Sequence, residues 1–83
     1  MAKSVFTEPY GLLLRLLVAA RRDAGLTQQT LAARLGKPQS YVSKVERGER
    51  RIDVIEFLAL ARGLGADPHA ILAELEPTVP TGA

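Results

Sequence analysis

Glycines that end short apolar-periodic segments are the feature that most constrains how this chain folds. Gly25, Gly36, Gly48 and Gly65 each stand at the end of such a segment, and glycine adopts the left-handed conformation that ends a helix without steric cost. The apolar residues before them recur every three or four positions, which is the period of an amphipathic helix. The sequence therefore predicts a series of short helices, and no segment shows the alternation typical of a strand.

The predicted helix boundaries follow from residues that favour helix ends. Thr27 is a natural N-cap, Pro38 suits a first helical turn, and Asp53 with Glu56 three residues later forms a capping box. Asp67 begins the last helix. The resulting helices, with their caps, cover residues 10–24, 27–36, 38–48, 53–65 and 67–77.

Length and composition limit the classes of protein. A chain of 83 residues without cysteine, 47% apolar and 24% charged, is typical of one globular domain in a reducing compartment, so a cytoplasmic location is expected. The longest apolar stretch, residues 11–20, contains Arg15 and is shorter than the roughly 20 residues that span a bilayer. Basic side chains predominate in residues 1–50 and acidic ones in residues 51–83. An anionic partner is therefore expected at the first part of the chain.

The segment 25–49, GLTQQTLAARLGKPQSYVSKVERGE, carries the functional prediction. Two short helices separated by a tight turn at Gly36 are the elements of a helix-turn-helix, in which the first helix supports the second. Ala32 suits the place where two helices cross closely. A plain helical hairpin would not explain the polar face of the second helix.

This segment resembles the Cro and phage-repressor type of helix-turn-helix, the xenobiotic-response-element (XRE) family of bacterial regulators. The similarity covers roughly residues 13–72 and rests on LTQQTLA, the turn glycine, QSYVSKVERGE and LARGLG. Pro38 and Thr30 depart from the common pattern, in which a serine or threonine cap and a glutamate are frequent. The resemblance implies an all-α, five-helix, lambda-repressor-like domain, which we place at residues 10–76. The composition of the two ends predicts a flexible segment at residues 1–9 and a disordered tail at residues 77–83.

The resemblance also implies the residues that meet DNA. Gln28 is expected to bind a phosphate, and Tyr41 either to contact a phosphate or a thymine methyl or to pack beside the first helix. The remaining expected contacts lie on the recognition helix or at its end: base edges or flanking backbone for Gln39, Ser40, Ser43 and Lys44, and phosphates for Arg47, Arg50 and Arg51. Arg21 and Glu46 match a pair that commonly forms a structural salt bridge.

The expected function is sequence-specific regulation of transcription by a homodimer on a short palindromic operator in double-stranded DNA. Ile71, Leu72 and Leu75 are the predicted dimer interface, unless Ile71 and Leu72 only cap the core; the first helix, extended by Val5 and Phe6, is the other possible surface. The alternatives are a protein-interaction module such as an antitoxin, or a restriction-modification controller protein. With one histidine and no cysteine, no enzyme activity, metal or cofactor is expected.

Overall fold

The computed structural model describes residues 8–82, which form five α-helices and one 3-10 turn. In chain order these are α1 (Glu8–Asp23), α2 (Gln28–Leu35), α3 (Gln39–Glu46), α4 (Val54–Leu64), α5 (Pro68–Leu75) and the turn Glu76–Thr78. The predicted all-α, five-helix, lambda-repressor-like fold is confirmed. None of the helices in this part of the chain is both long enough and apolar enough to cross a membrane.

Local capping sets most of the helix ends. The Thr27 hydroxyl accepts a hydrogen bond from the Thr30 amide, and Asp53 and Glu56 form a complete capping box. Gly36 ends α2 with a φ of 67°, in the left-handed region that favours glycine. α1 begins at Glu8, two residues before the predicted start, because an acidic residue and a proline are both favourable in a first helical turn.

One hydrophobic core joins all five helices. Leu17 of α1, Leu31 of α2, Val42 of α3 and Phe57 of α4 are buried in it, and Ile71 of α5 is 7% exposed. Ile71, predicted at a dimer interface together with Leu72 and Leu75, is thus a core residue of the protomer. Leu72 is 45% exposed, while Leu75 is partly buried against the core.

Small residues allow α2 to pack closely against its neighbours. Ala32, 2% exposed, lies in the core on the inner side of α2. A Cβ at Gly63 of α4 would lie 3.0 Å from Leu35 Cδ2 and 3.1 Å from Leu31 Cδ1. Because these distances are shorter than ordinary van der Waals contacts, a larger residue at position 63 would push α4 away from α2. α2, which supports α3, is therefore packed directly against α4.

The chain after α5 folds back towards α1. The Thr78 hydroxyl donates a hydrogen bond to the Leu75 carbonyl at 2.7 Å, and Val79 lines a groove of about 600 Å³ together with Tyr10 and Leu13 of α1. The structure describes residues 77–82 of the predicted tail, and Ala83 lies outside the described residues. Residues 1–7, which contain the predicted extension of α1 at Val5 and Phe6, lie outside the described residues.

Candidate nucleic-acid interface

α3 lies at the surface with one side in the core and the other in solvent. Val42 and Val45 are 1% and 2% exposed, whereas Gln39, Ser40 and Lys44 are exposed on the opposite side. The helix is therefore held by its valines, while its polar side chains stay available to a partner. This is the arrangement that a recognition helix requires.

A chain of hydrogen bonds joins the first residue of α3 to α1. Gln39 Nε2 donates to Gln28 Oε1 at 3.3 Å, and Gln28 Nε2 donates to Glu46 Oε1 at 2.9 Å. Glu46 in turn accepts from Arg21. The two predicted DNA-binding glutamines are thus linked to each other, and the link continues to the Arg21–Glu46 pair.

Arg21 and Glu46 form a bidentate ion pair. Arg21 Nε and Nη2 lie 2.7 and 3.1 Å from the two carboxylate oxygens of Glu46, and each side chain is only 11% exposed. Arg21 Nη1 also donates to the Leu26 carbonyl at 2.9 Å. Because Leu26 lies in the loop between α1 and α2, this one guanidinium connects α1, the loop and the end of α3.

Gln28 is half-buried at the start of α2. Its carbonyl oxygen accepts from Gln39, and one of its amide hydrogens is donated to Glu46. A side-chain amide has two hydrogens, so one remains for a phosphate, next to the first backbone N–H groups of α2. Gln28 therefore links Gln39 to Glu46 by its side chain, and its phosphate contact stays a prediction.

The arginines that follow α3 all have partners within the protein. Arg47 donates to both carboxylate oxygens of Glu49, at 2.9 and 3.2 Å, and to Ser43 Oγ at 2.6 Å. Arg50 pairs with Glu56. The charges expected to meet phosphates are thus partly neutralised before DNA is present, and neither carboxylate was identified as a partner from the sequence.

Arg51 lies apart from these two arginines. Its guanidinium stacks on the ring of Tyr10, 4.2 Å from the ring centre, and it lines the groove that Leu13 and Val79 also line. The Tyr10 hydroxyl accepts from the Ile52 amide at 3.1 Å. Arg51 is therefore placed with α1 and the C-terminal segment, and the structure does not bring it together with Gln39 and Lys44.

Tyr41 belongs to a charged cluster at the start of α3. Its hydroxyl donates to Glu56 Oε2 at 3.4 Å, and Lys37 and Arg50 lie over its ring, 5.2 and 5.3 Å from the centre. Partial burial and the negative charge of Glu56 raise the pKa of the Tyr41 hydroxyl above its usual value of 10.0, although Arg50 lowers it. Lys37 was not predicted as a member of the site, because nothing in the sequence shows that it reaches this ring.

We expect the Tyr41 hydroxyl to lose its proton at a higher pH than an ordinary tyrosine. A pKa raised by folding means that the protonated form is favoured in the native state, so this contribution to stability is lost as the pH rises through the native pKa. Phenolate absorbance is measured against pH for the wild type and for Tyr41→Phe, and the difference between the two curves is the titration of the Tyr41 hydroxyl. A difference curve centred below pH 10 would contradict the raised pKa of Tyr41.

The comparisons with known proteins fit this geometry. A family model described as helix-turn-helix matches residues 17–71, from the middle of α1 to α5. The chain belongs to the helix-turn-helix family. A solved XRE-family like protein from Pseudomonas syringae pv. tomato is 58% identical, with a TM-score of 0.81, covering 87% of this chain and 88% of that one. The predicted XRE-type membership is therefore confirmed.

Other members and neighbours agree with the assignment. The HTH-type transcriptional regulator y4dJ of Sinorhizobium fredii is 40% identical over 58 residues, 70% of this chain and 75% of that protein. The restriction-modification controller protein C.Esp1396I, solved as a tetramer with its natural 35 base-pair operator, has a TM-score of 0.77 at 19% identity, covering 87% of this chain and 95% of that one. At that identity it shows the fold alone. The protein is a transcriptional regulator of the XRE-type helix-turn-helix family.

Proposed function

We propose that this XRE-type regulator places α3 in the major groove of double-stranded DNA and binds a short palindromic operator as a homodimer. The observation that carries this proposal is the exposed polar side of α3, whose first residue is linked by hydrogen bonds through Gln28 and Glu46 to Arg21 of α1. A recognition helix needs side chains held in fixed positions, because base edges are distinguished by the directions of their hydrogen bonds. The cytoplasm, where bacterial DNA lies, is the proposed location.

Within the described residues 8–82, the Gln39 side chain keeps two groups without a hydrogen-bond partner, and adenine requires both. One hydrogen of its Nε2 is donated to Gln28, which leaves the other hydrogen and the carbonyl oxygen. Adenine presents an acceptor at N7 and a donor at N6 in the major groove, and glutamine pairs with both. We infer that Gln39 binds an adenine in this way, with Ser40, Ser43 and Lys44 at neighbouring bases or phosphates.

Phosphate contacts are proposed at the start of α2 and along the end of α3. Gln28 supplies its remaining amide hydrogen together with the positive end of the α2 dipole. Lys44 is exposed, and Arg47 and Arg50 are available once their carboxylate partners are exchanged for phosphate. Arg51 is a weaker candidate, since it lies against Tyr10.

The proposed DNA contact is tested by binding affinity at two salt concentrations. Fluorescence anisotropy with genomic duplexes is expected to show affinity that falls steeply as salt rises, because phosphate contacts release counterions. Lys44→Ala is expected to weaken binding and to reduce the salt dependence, whereas the control Arg62→Ala, which removes an equal charge from α4, leaves both unchanged. An affinity that does not change with salt concentration, or an equal loss of affinity in the two variants, would contradict the proposal.

A protein-interaction role is the second candidate, and exposed apolar side chains on α4 favour it. Val54 and Ile55 are 70% and 72% exposed, and Leu58 is 43% exposed. Such a role includes the antitoxin alternative, whereas a controller protein is a special case of the DNA-binding proposal. An interaction module with no DNA role would show no salt-dependent binding in the same assay.

The proposed dimer surface is the outer side of α5 with the residues that follow it. Leu72 and Val79 are 45% and 50% exposed and line one groove with Leu75, whereas Ile71 is excluded by its burial. A two-fold axis makes such a surface self-complementary, and binding to two half-sites requires that the dimer hold its two α3 helices about 34 Å apart, one turn of DNA. Exposed apolar surface of this kind is a usual feature of partner sites.

Leu72→Asp is expected to convert the dimer into a monomer, because a charge would be buried without a partner at the interface. Ile55→Asp is the matched control, since it adds the same charge at an exposed apolar position of α4 and is expected to remain dimeric. Analytical ultracentrifugation gives the two masses, and circular dichroism checks that both variants keep their helices. A monomeric wild type, or a dimeric Leu72→Asp variant, would remove this surface from consideration.

A further inference from the structure

We propose that Glu49 competes with DNA phosphates for Arg47 and so lowers the affinity of this protein for DNA of every sequence. The proposal rests on the proposed function, since it requires α3 to face DNA. Glu49 would then reduce the amount of protein that is bound to non-specific DNA, which is in large excess. The side chains that contact bases would still discriminate among sequences.

Glu49 binds the Arg47 guanidinium with the same paired hydrogen bonds that a phosphate would accept. Its Nε and Nη2 donate to the two oxygens of Glu49 at 2.9 and 3.2 Å, the paired geometry that arginine uses with carboxylates and phosphates alike. Its Nη1 donates to Ser43 Oγ, one turn back on α3. The side chain therefore lies along α3, and its strongest donor pair is already occupied.

Glu49 is held in this position by the backbone. Gly48 has a φ of 78°, so the chain turns back directly after α3, and the Glu49 amide donates to the Lys44 carbonyl at 2.9 Å. The Arg47 hydrogen bonds and charge lower the pKa of the Glu49 carboxyl, and the charge of Lys44 lowers it further. The carboxylate is thus ionised at neutral pH beside two cations of the proposed interface.

The pair is open to exchange with DNA. The Arg47 and Glu49 side chains are 56% and 53% exposed, and exposed ion pairs are weak. A phosphate that binds Arg47 must displace Glu49, and the displaced carboxylate stays close to the polyanion. Both effects oppose binding without regard to base sequence, because phosphates are the same in every duplex.

The second arginine pair differs in a way that makes Glu49 the better test. Glu56, the partner of Arg50, also accepts from the Asp53 amide and from the Tyr41 hydroxyl, so replacing it would disturb the start of α4. Within residues 8–82, the Glu49 carboxylate has hydrogen bonds from Arg47 alone. Among the described residues, replacing the Glu49 carboxylate therefore removes the exposed pair with Arg47 and no other hydrogen bond of that group.

The test measures the affinity of Glu49→Gln for random-sequence duplex and for the preferred site. We expect both affinities to rise by the same factor, about threefold to tenfold at low salt, and the slope of log affinity against log salt to steepen by about 0.9, the value for one additional phosphate contact. Glu8→Gln, the same charge change at an exposed residue at the start of α1, is the control and is expected to leave both quantities unchanged.

Arg47→Ala distinguishes release of Arg47 from a simple change of net charge. Alone, it is expected to weaken binding, because it removes a proposed phosphate contact and leaves the Glu49 charge unpaired. Combined with Glu49→Gln, it is expected to abolish most of the gain. A Glu49→Gln variant that binds no tighter than the wild type would contradict the inference, as would a gain that survives Arg47→Ala. A loss confined to the preferred site would mean that Glu49 itself contacts a base. If neither wild type nor variant shows salt-dependent binding, the proposed DNA-binding function fails as well.

Discussion

Glu46→Ala is expected to lower the free energy of unfolding by about 3 kcal/mol, the order found when one member of a buried ion pair is removed. Glu46 accepts two hydrogen bonds from Arg21 and one from Gln28. Its loss leaves the charge of Arg21, whose side chain is 11% exposed in the intact pair, without a carboxylate. Urea denaturation of the wild type and the variant measures the change. Glu49→Ala, which breaks an ion pair exposed to solvent, is the control and is expected to leave stability unchanged.

The double variant Arg21→Ala/Glu46→Ala tests whether the two residues act through one interaction. Both single variants are expected to melt at lower temperature than the wild type. The double variant is expected to lose less than the sum of the two, because the second substitution removes a group that the first has already left unpaired. Strictly additive losses would show that Arg21 and Glu46 stabilise the fold independently and would contradict the geometry.

Gln39→Ala is expected to cost about 1–3 kcal/mol of binding free energy on the preferred site and far less on random DNA, the range for a bidentate contact to a base. The carbonyl oxygen and the second amide hydrogen of Gln39, which have no partner in the described part of the chain, are the groups whose loss produces this difference. The two affinities are measured by competition with unlabelled duplex. Gln29→Ala, the removal of an exposed glutamine of α2 without a described hydrogen bond, serves as the control. Equal losses on both DNAs would contradict the base contact.

The structure changes the expected effect of Gln28→Ala. The family resemblance implies a phosphate contact for Gln28, and loss of that contact would weaken binding to every DNA alike. Because Gln28 also accepts the hydrogen bond of Gln39, its removal is expected to release Gln39 and to reduce affinity for the preferred site more than for random DNA. A Gln28→Ala variant that loses the same factor on both would show that Gln39 keeps its position without this partner.

Features that depend on local chemistry could be predicted from the sequence. Thr27, Gly36 and the capping box at Asp53 act on their own helix ends, and the observed ends of α2 and α4 follow from them. The periodic apolar residues likewise identify the inner side of each helix. The pairing of Arg21 with Glu46 came only from the resemblance, since no local rule joins residues that far apart in the chain.

Features that depend on the path of the chain between helices could not be predicted. The partners of Arg47 and Arg51 follow from the direction that the backbone takes after Gly48, which brings Glu49 back over α3 and places Arg51 against Tyr10. The burial of Ile71 depends on the angle at which α5 meets α1. Helical spacing shows that Ile71 and Leu75 lie on one side of α5, but not how deeply each is covered.

Selection of bound sequences from a random duplex pool tests the central claim most directly. We expect the wild type to enrich an inverted repeat whose half-sites are one helical turn apart, with an adenine at a fixed position in each half. Gln39→Ala is expected to lose the preference at that adenine and to keep the spacing, because the dimer is unchanged. Failure of the wild type to enrich any sequence, or enrichment of the same sequence by Gln39→Ala, would contradict the assignment of α3 as the recognition helix.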